Sequence, residues 1–339
     1  MRSGRAEDGK QRRMIAAAWR ATFSLAILAL LLFRSGSEGI SIQPDERLLT
    51  GSLAAVLLVA LALFFSAVRW KLVLGPHGPR VGVLWRLYVI GWFFSLFLPT
   101  SIGGDAVRTV ALARSRTSTG AAISSVLIER LLGVAALAGL LALGLLTVSS
   151  GRAGLTESLR LDLTPGRLAF AMGAVIIAGG LGATIAARSG RVQELLRDAM
   201  SVIHAFRLRP IGLVAAIAAS FAVQGLYILT WVALAWSIRL PVPASSFLIW
   251  VPLISVAAMV PITLAGLGLR EGAWVVLLAP TGIAAAQAVS FSLLYYGVGL
   301  VVGIAGAILF LTSGLRTSLQ AEMNDDGSHV PAPDTVPAV

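Results

Sequence analysis

Leu98-Pro-Thr-Ser-Ile-Gly-Gly-Asp-Ala-Val-Arg108 and Val260-Pro-Ile-Thr-Leu-Ala-Gly-Leu-Gly-Leu-Arg270 are two versions of one phrase, each set inside an otherwise apolar stretch. Pro99 aligns with Pro261, Ser101 with Thr263, Gly104 with Gly266 and Arg108 with Arg270, all at an offset of 162 residues. A constant offset marks an internal duplication. Proline stops a helix, glycine lets the chain turn, and a charge follows; at membrane depth such a break is tolerated only where it is buried in protein or lines a cavity. The phrases therefore read as two broken helices, one per repeat, of the kind that carries the binding site in transporters.

Composition supports a membrane setting. The chain is 57% hydrophobic and 13% charged with a mean hydropathy of +0.86, whereas about a quarter of a soluble domain is charged. Apolar segments take up nearly all 339 residues and leave no room for a soluble catalytic domain. There is no cysteine, and His77, His204 and His329 are scattered, which argues against disulfides and a metal cluster. The sequence pI of 11.3 comes from basic residues in short loops, a topology signal before it is a nucleic-acid signal.

Runs long enough to cross about 30 Å of hydrocarbon fall at Ile15–Phe33, Ser52–Val68, Ala121–Val148, Leu168–Ala186, Ile211–Trp236 and Ala284–Leu311. Two more regions, Leu84–Pro99 continuing to Ala113 and Phe247–Pro261 continuing to Ala279, are interrupted midway and read as re-entrant hairpins. The expected fold is an all-α polytopic membrane protein with about six full spans and two broken hairpins. Each half reads span, span, hairpin, span, over residues 15–148 and 168–311 of one domain spanning 15–311. Three crossings per unit is odd, so the units face opposite ways: an inverted repeat. With both termini in the cytoplasm, segments 1–14, 69–86, 114–116, 188–209 and the C-terminal tail hold 17 Lys or Arg, against six outside. That bias favours the N-in, C-in arrangement in a cell membrane. The basic segment 1–14 and the tail 312–339 read as disordered cytoplasmic extensions.

The candidate site gathers around the breaks. Gly103 and Gly104 permit the turn and Ser101 supplies a hydroxyl; Asp105 and Arg108 sit one turn apart on the helix that follows. Asp105 has a plain role as a first-turn acid, while the guanidinium of Arg108 suits an oxyanion. Glu129 and Arg130 lie within the third span, where ionisable groups are costly unless they face protein or water. Being adjacent on a helix they point about 100° apart and need other partners, for example Arg130 with Asp105. In the second hairpin Thr263, Gly266, Arg270 and Glu271 repeat the hydroxyl, turn and charge, and Arg270 with Glu271 is expected to face the outer side of the cavity. Tyr295, Tyr296, Gln224 and Tyr227 are further candidates for its lining, with interhelical hydrogen bonding or interfacial anchoring the favoured role for all four. No segment carries a nucleotide loop, nucleophile elbow or paired carboxylates.

Phe97-Leu-Pro-Thr-Ser-Ile-Gly-Gly-Asp-Ala-Val-Arg108, Ile128-Glu-Arg-Leu-Leu-Gly133 and Pro261-Ile-Thr-Leu-Ala-Gly-Leu-Gly-Leu-Arg-Glu-Gly272 together resemble the flippase-like transmembrane region of the lysylphosphatidylglycerol synthase family. That family commonly has Asp where this chain has Glu129, and its larger members add a soluble aminoacyl transferase domain that these 339 residues lack. The resemblance implies movement of a phospholipid or lipid-linked headgroup between leaflets. An anionic lipid is the expected partner, with neither cofactor nor nucleic acid. An accessory membrane subunit for a lipid-modifying or glycosyl transferase is the alternative, and an intramembrane transferase using Asp105 or Glu129 a third reading.

Overall fold

A computed structural model describes residues 44–76, 78–97, 103–113, 119–150, 210–258 and 268–313. The expected spans at 15–33 and 168–186, both terminal segments, all three histidines, and Ser101, Thr263 and Gly266 lie outside the described residues. Within them every regular element is helical: α1 (Glu46–Leu74), α2 (Val81–Phe97), α3 (Gly103–Ala113), α4 (Thr119–Ser150), α5 (Pro210–Ser237), α6 (Phe247–Ala258), α7 (Leu269–Leu278) and α8 (Ala285–Thr312). Helices α1, α4, α5 and α8 are long and apolar enough to cross a membrane. At 1.5 Å per residue, α3 and α7 are only about 15 Å long, half the hydrocarbon thickness.

The order long, short, short, long thus occurs twice. Helices α2, α3 and α4 begin 166 residues before α6, α7 and α8 respectively, and α1 begins 164 before α5. This register differs from the 162-residue offset of the repeated phrase. The reason is local: α2 has 17 residues and α6 only 12, and the link before the next half-helix is correspondingly longer in the second copy. Arg108 is consequently the sixth residue of α3, whereas Arg270 is the second of α7. The two arginines share a letter in the phrase but not a place on the helix. The acids do share one: Asp105 and Glu271 are each the third residue of their half-helix.

Helix α1 is longer than the apolar run that announced it. Asp45 Oδ1 accepts from Leu48 N at 2.8 Å and starts the helix at Glu46; at the other end Gly75, at φ 74°, closes it with its N–H on the Lys71 carbonyl. The extension carries Arg69 and Trp70 into the buried stripe Ala55, Val59, Ala62, Ser66, Arg69, Trp70 and Val73, which repeats at helical spacing. Arg69, counted in a cytoplasmic loop on sequence grounds, is therefore a buried helical residue, and the basic tally loses one member.

The stripe of α1 packs along α5 in antiparallel fashion. Gly51 lies against Ala233 and Ser237 at one end, Arg69 reaches Ser220, and Val73 meets Ala216 at the other. A Cβ at Gly51 would collide with that of Ser237, so this approach requires glycine. Small residues let the backbones close, which is how helices associate where no water is available to drive them together. The remaining contacts come in matched sets: α2 packs on α8 as α4 does on α6, α2 on α3 as α6 on α7, and α3 on α4 as α7 on α8.

Candidate functional site

Helices α2 and α3 cross at two glycines. A side chain at Gly104 would strike Ser95 Oγ and the Gly91 carbonyl, and one at Gly91 would meet Arg108 Cγ at 2.9 Å. The close approach lays the Arg108 stem over Gly91, with its guanidinium above the rings of Tyr88, at 3.9 Å, and Trp70, at 5.0 Å.

Five ionisable side chains converge there from three helices. Glu129, only 2% exposed, receives Arg69 Nε at 3.2 Å and Nη2 at 2.9 Å on one oxygen, and lies 3.5 Å from Arg108 Nη1 on the other. Arg69 Nη1 also donates to Ser220 Oγ at 3.4 Å, carrying the cluster across to α5. Asp105 uses both oxygens: Oδ1 pairs with Arg108 and Oδ2 with Arg130. Glu129 and Arg130, pointing apart on α4 as their adjacency requires, thus find their partners elsewhere, and the local Asp105–Arg108 pair forms as their spacing allows. Among the described residues the cluster sets three guanidiniums against two carboxylates. The cluster ties α1, α3 and α4 together. Arg69 was missed as a site residue because it sits at the edge of an apolar run; its place in the helical stripe was the signal that could have found it.

The second half is built differently. Glu271 is 1% exposed; Oε2 accepts Gly268 N at 2.6 Å and Oε1 accepts Ser292 Oγ at 2.9 Å. Among the described residues it is not part of the lining of the cleft around Arg270, where the sequence led it to be expected. It folds back instead to satisfy the N–H of its own helix cap, and Gly268 at φ 85° makes that turn. Arg270 goes the other way. Its guanidinium lies 5.1 Å from the centre of the Tyr295 ring, in a cleft of about 180 Å³ lined by Trp92, Ser95, Leu96, Ala258, Arg270, Tyr295, Tyr296 and Gly299. Among the described residues no carboxylate pairs with it. The cleft lies between α2 of one half and the end of α6, α7 and α8 of the other. Tyr295 and Tyr296 line it, whereas Tyr227 stacks behind it on Trp92 at 6.3 Å and Gln224, in the interhelical hydrogen bond favoured for it, donates to the Gly133 carbonyl at 3.3 Å.

The lysylphosphatidylglycerol synthase TM region matches residues 16–306, all but the two ends. The chain belongs to that family. It is a membrane protein whose family points to lipid-related function. Comparison with curated proteins gives no match. Comparison with solved structures gives none either. Among the described residues no group of His, Cys, Asp and Glu is placed to hold a metal ion.

Proposed function

We propose that this protein moves an anionic phospholipid or lipid-linked headgroup between the leaflets of the cell membrane, with the cleft around Arg270 as a headgroup site. The observation that carries the reading is a guanidinium held by an aromatic ring at the junction of the two halves, in a space open to a ligand and, among the described residues, without a carboxylate to neutralise it. Such a fork of donors suits a phosphodiester oxyanion, and Tyr295, Tyr296 and Ser95 add hydroxyl-bearing side chains around it. A volume of about 180 Å³ suits a headgroup and not a whole lipid, so the acyl chains stay in the bilayer.

An inverted repeat of six spans and two re-entrant hairpins, N-in and C-in, is the architecture that goes with this activity. The antiparallel packing of α1 on α5, corresponding helices of the two halves, supports the inversion, and the short α3 and α7 support hairpins that turn back within the bilayer.

Proteoliposomes loaded with fluorescent phosphatidylglycerol test the reading. Arg270→Ala lowers the rate of leaflet exchange by about tenfold or more, the loss of one charge-assisted contact. A rate equal to that of the wild type in a folded variant sinks the assignment of the cleft.

A further inference from the structure

We infer that Arg108 and Arg130 form a second oxyanion site which Asp105 holds shut, and that Asp105 and Glu271 show the two positions of one switch. The inference rests on the anionic-lipid reading above.

The two acids occupy the same place on their half-helices, but their side chains do opposite things. Glu271 turns back to the N–H of Gly268 and leaves Arg270 to the cleft. Asp105 turns sideways and takes up two guanidiniums, one from α3 and one from α4, each on a separate oxygen. Two guanidiniums gripping the two oxygens of one carboxylate is also the arrangement that holds a phosphodiester. Asp105 is in this sense an internal stand-in for the headgroup.

Several features make the pair usable once the acid leaves. Arg108 stays seated, because Tyr88, Trp70 and Glu129 hold its guanidinium independently of Asp105. The Arg130 side chain is 44% exposed, so the pair is reachable from outside the cluster. Asp105 has somewhere to go: turned back onto the first turn of α3, it would complement that helix end as Glu271 complements α7. In a protein built of two like halves, each half displays a conformation available to the other. The half ending in α4 is seen with its arginines closed, and the half ending in α8 with its arginine open.

Binding of fluorescent phosphatidylglycerol to the full chain in phosphatidylcholine nanodiscs tests this. Removing the internal competitor with Asp105→Asn tightens binding on the order of fivefold, and adding Arg130→Gln abolishes the gain. Unchanged or weaker binding by a folded Asp105→Asn overturns the proposal. Should that variant fail to fold, the absence of native cysteine allows a second measurement with the five charges intact. Alkylation of Ala106→Cys, an exposed position next to Asp105, by a neutral maleimide changes about threefold when phosphatidylglycerol replaces half the phosphatidylcholine, relative to Thr50→Cys. An unchanged ratio overturns the switch. A protein that binds phosphatidylglycerol in this way yet moves none of it between leaflets refutes the translocator reading alone.

Discussion

At matching positions of the two halves the chain has built a charged cluster once and an aromatic one the other time. Counting 166 residues on from the first, Arg108 becomes Trp274, Glu129 becomes Tyr295, Arg130 becomes Tyr296 and Ser125 becomes Phe291. The second cluster packs Trp231 against Tyr295 at 4.3 Å, Trp274 at 4.8 Å and Phe291 at 5.1 Å, with Phe247 5.7 Å from Trp274. One backbone detail does recur: the carbonyls of Gly133 and Gly299, again 166 apart, each accept a side-chain N–H, from Gln224 at 3.3 Å and from Trp92 at 3.0 Å. One half is held by directional ion pairs and the other by ring packing. Among the described residues the charged cluster pairs each of its guanidiniums with an acid, whereas Arg270 beside the aromatic one has no such pair, so a duplicated fold yields two unlike half-sites.

The comparison breaks most severely at its hubs. Glu129→Ala leaves Arg69 without its carboxylate and strips Arg108 of one of two, all inside the protein; a loss of about 3–5 kcal/mol is expected for breaking a buried pair. Thermal unfolding in detergent checks it. Glu129→Asp keeps the charge and shortens its reach, so a smaller loss is expected. The aromatic hub behaves alike for another reason. Trp274 is fully buried, and Trp274→Ala opens a cavity costing about 3–5 kcal/mol. The two hubs are distinguishable by salt and polarity: Trp274→Phe recovers most of its loss, whereas Glu129→Gln, nearly isosteric, recovers little because shape was never what Glu129 supplied.

Much of this architecture was legible in the sequence, because hydropathy and helix breakers follow from what lipid tolerates. The four long helices fall where the apolar runs do, and the breaks fall between α2 and α3 and between α6 and α7. Partnership was less legible. Asp105 with Arg130 followed from the argument that adjacent Glu129 and Arg130 must look elsewhere, but Arg69 was hidden at the end of a run that capping by Asp45 and closure at Gly75 extend into a 29-residue helix. The orientation of Glu271 was also out of reach, since a first-turn acid can face a ligand or fold back on its own cap, and the choice is made by Ser292, 21 residues away. Letters aligned the two arginines; helix boundaries align the two acids.

A smaller effect sharpens the role of geometry within the charged half. Arg69→Lys retains the charge beside Glu129 but cannot offer Nε and Nη2 together to one oxygen while reaching Ser220 with Nη1. A loss of about 1–2 kcal/mol is expected, between that of the hub and nothing. If Lys proves as stable as Arg, the cluster is held by charge alone and the planar fork has no special part in it.

The smallest effect lies outside both clusters, where the same chemistry meets water. Asp45 caps α1 and lies 2.6 Å from Arg239 beyond the end of α5, so an arginine and a carboxylate again join the two halves, this time exposed. The Leu48 N–H, together with Arg239 and Arg47, holds the Asp45 carboxyl below its ordinary range. A group whose pKa is depressed on folding contributes stability that is complete above the unfolded value of about 3.9 and lost as pH falls through the folded one. Asp45→Asn keeps a capping oxygen but removes the charge, so its melting temperature should trail that of the wild type slightly at pH 7. The two should converge as pH falls below 4. A gap at pH 7 as large as that of Glu129→Ala would mean that exposure does not weaken an Arg–carboxylate pair here, and that burial is not what separates the cluster from the surface.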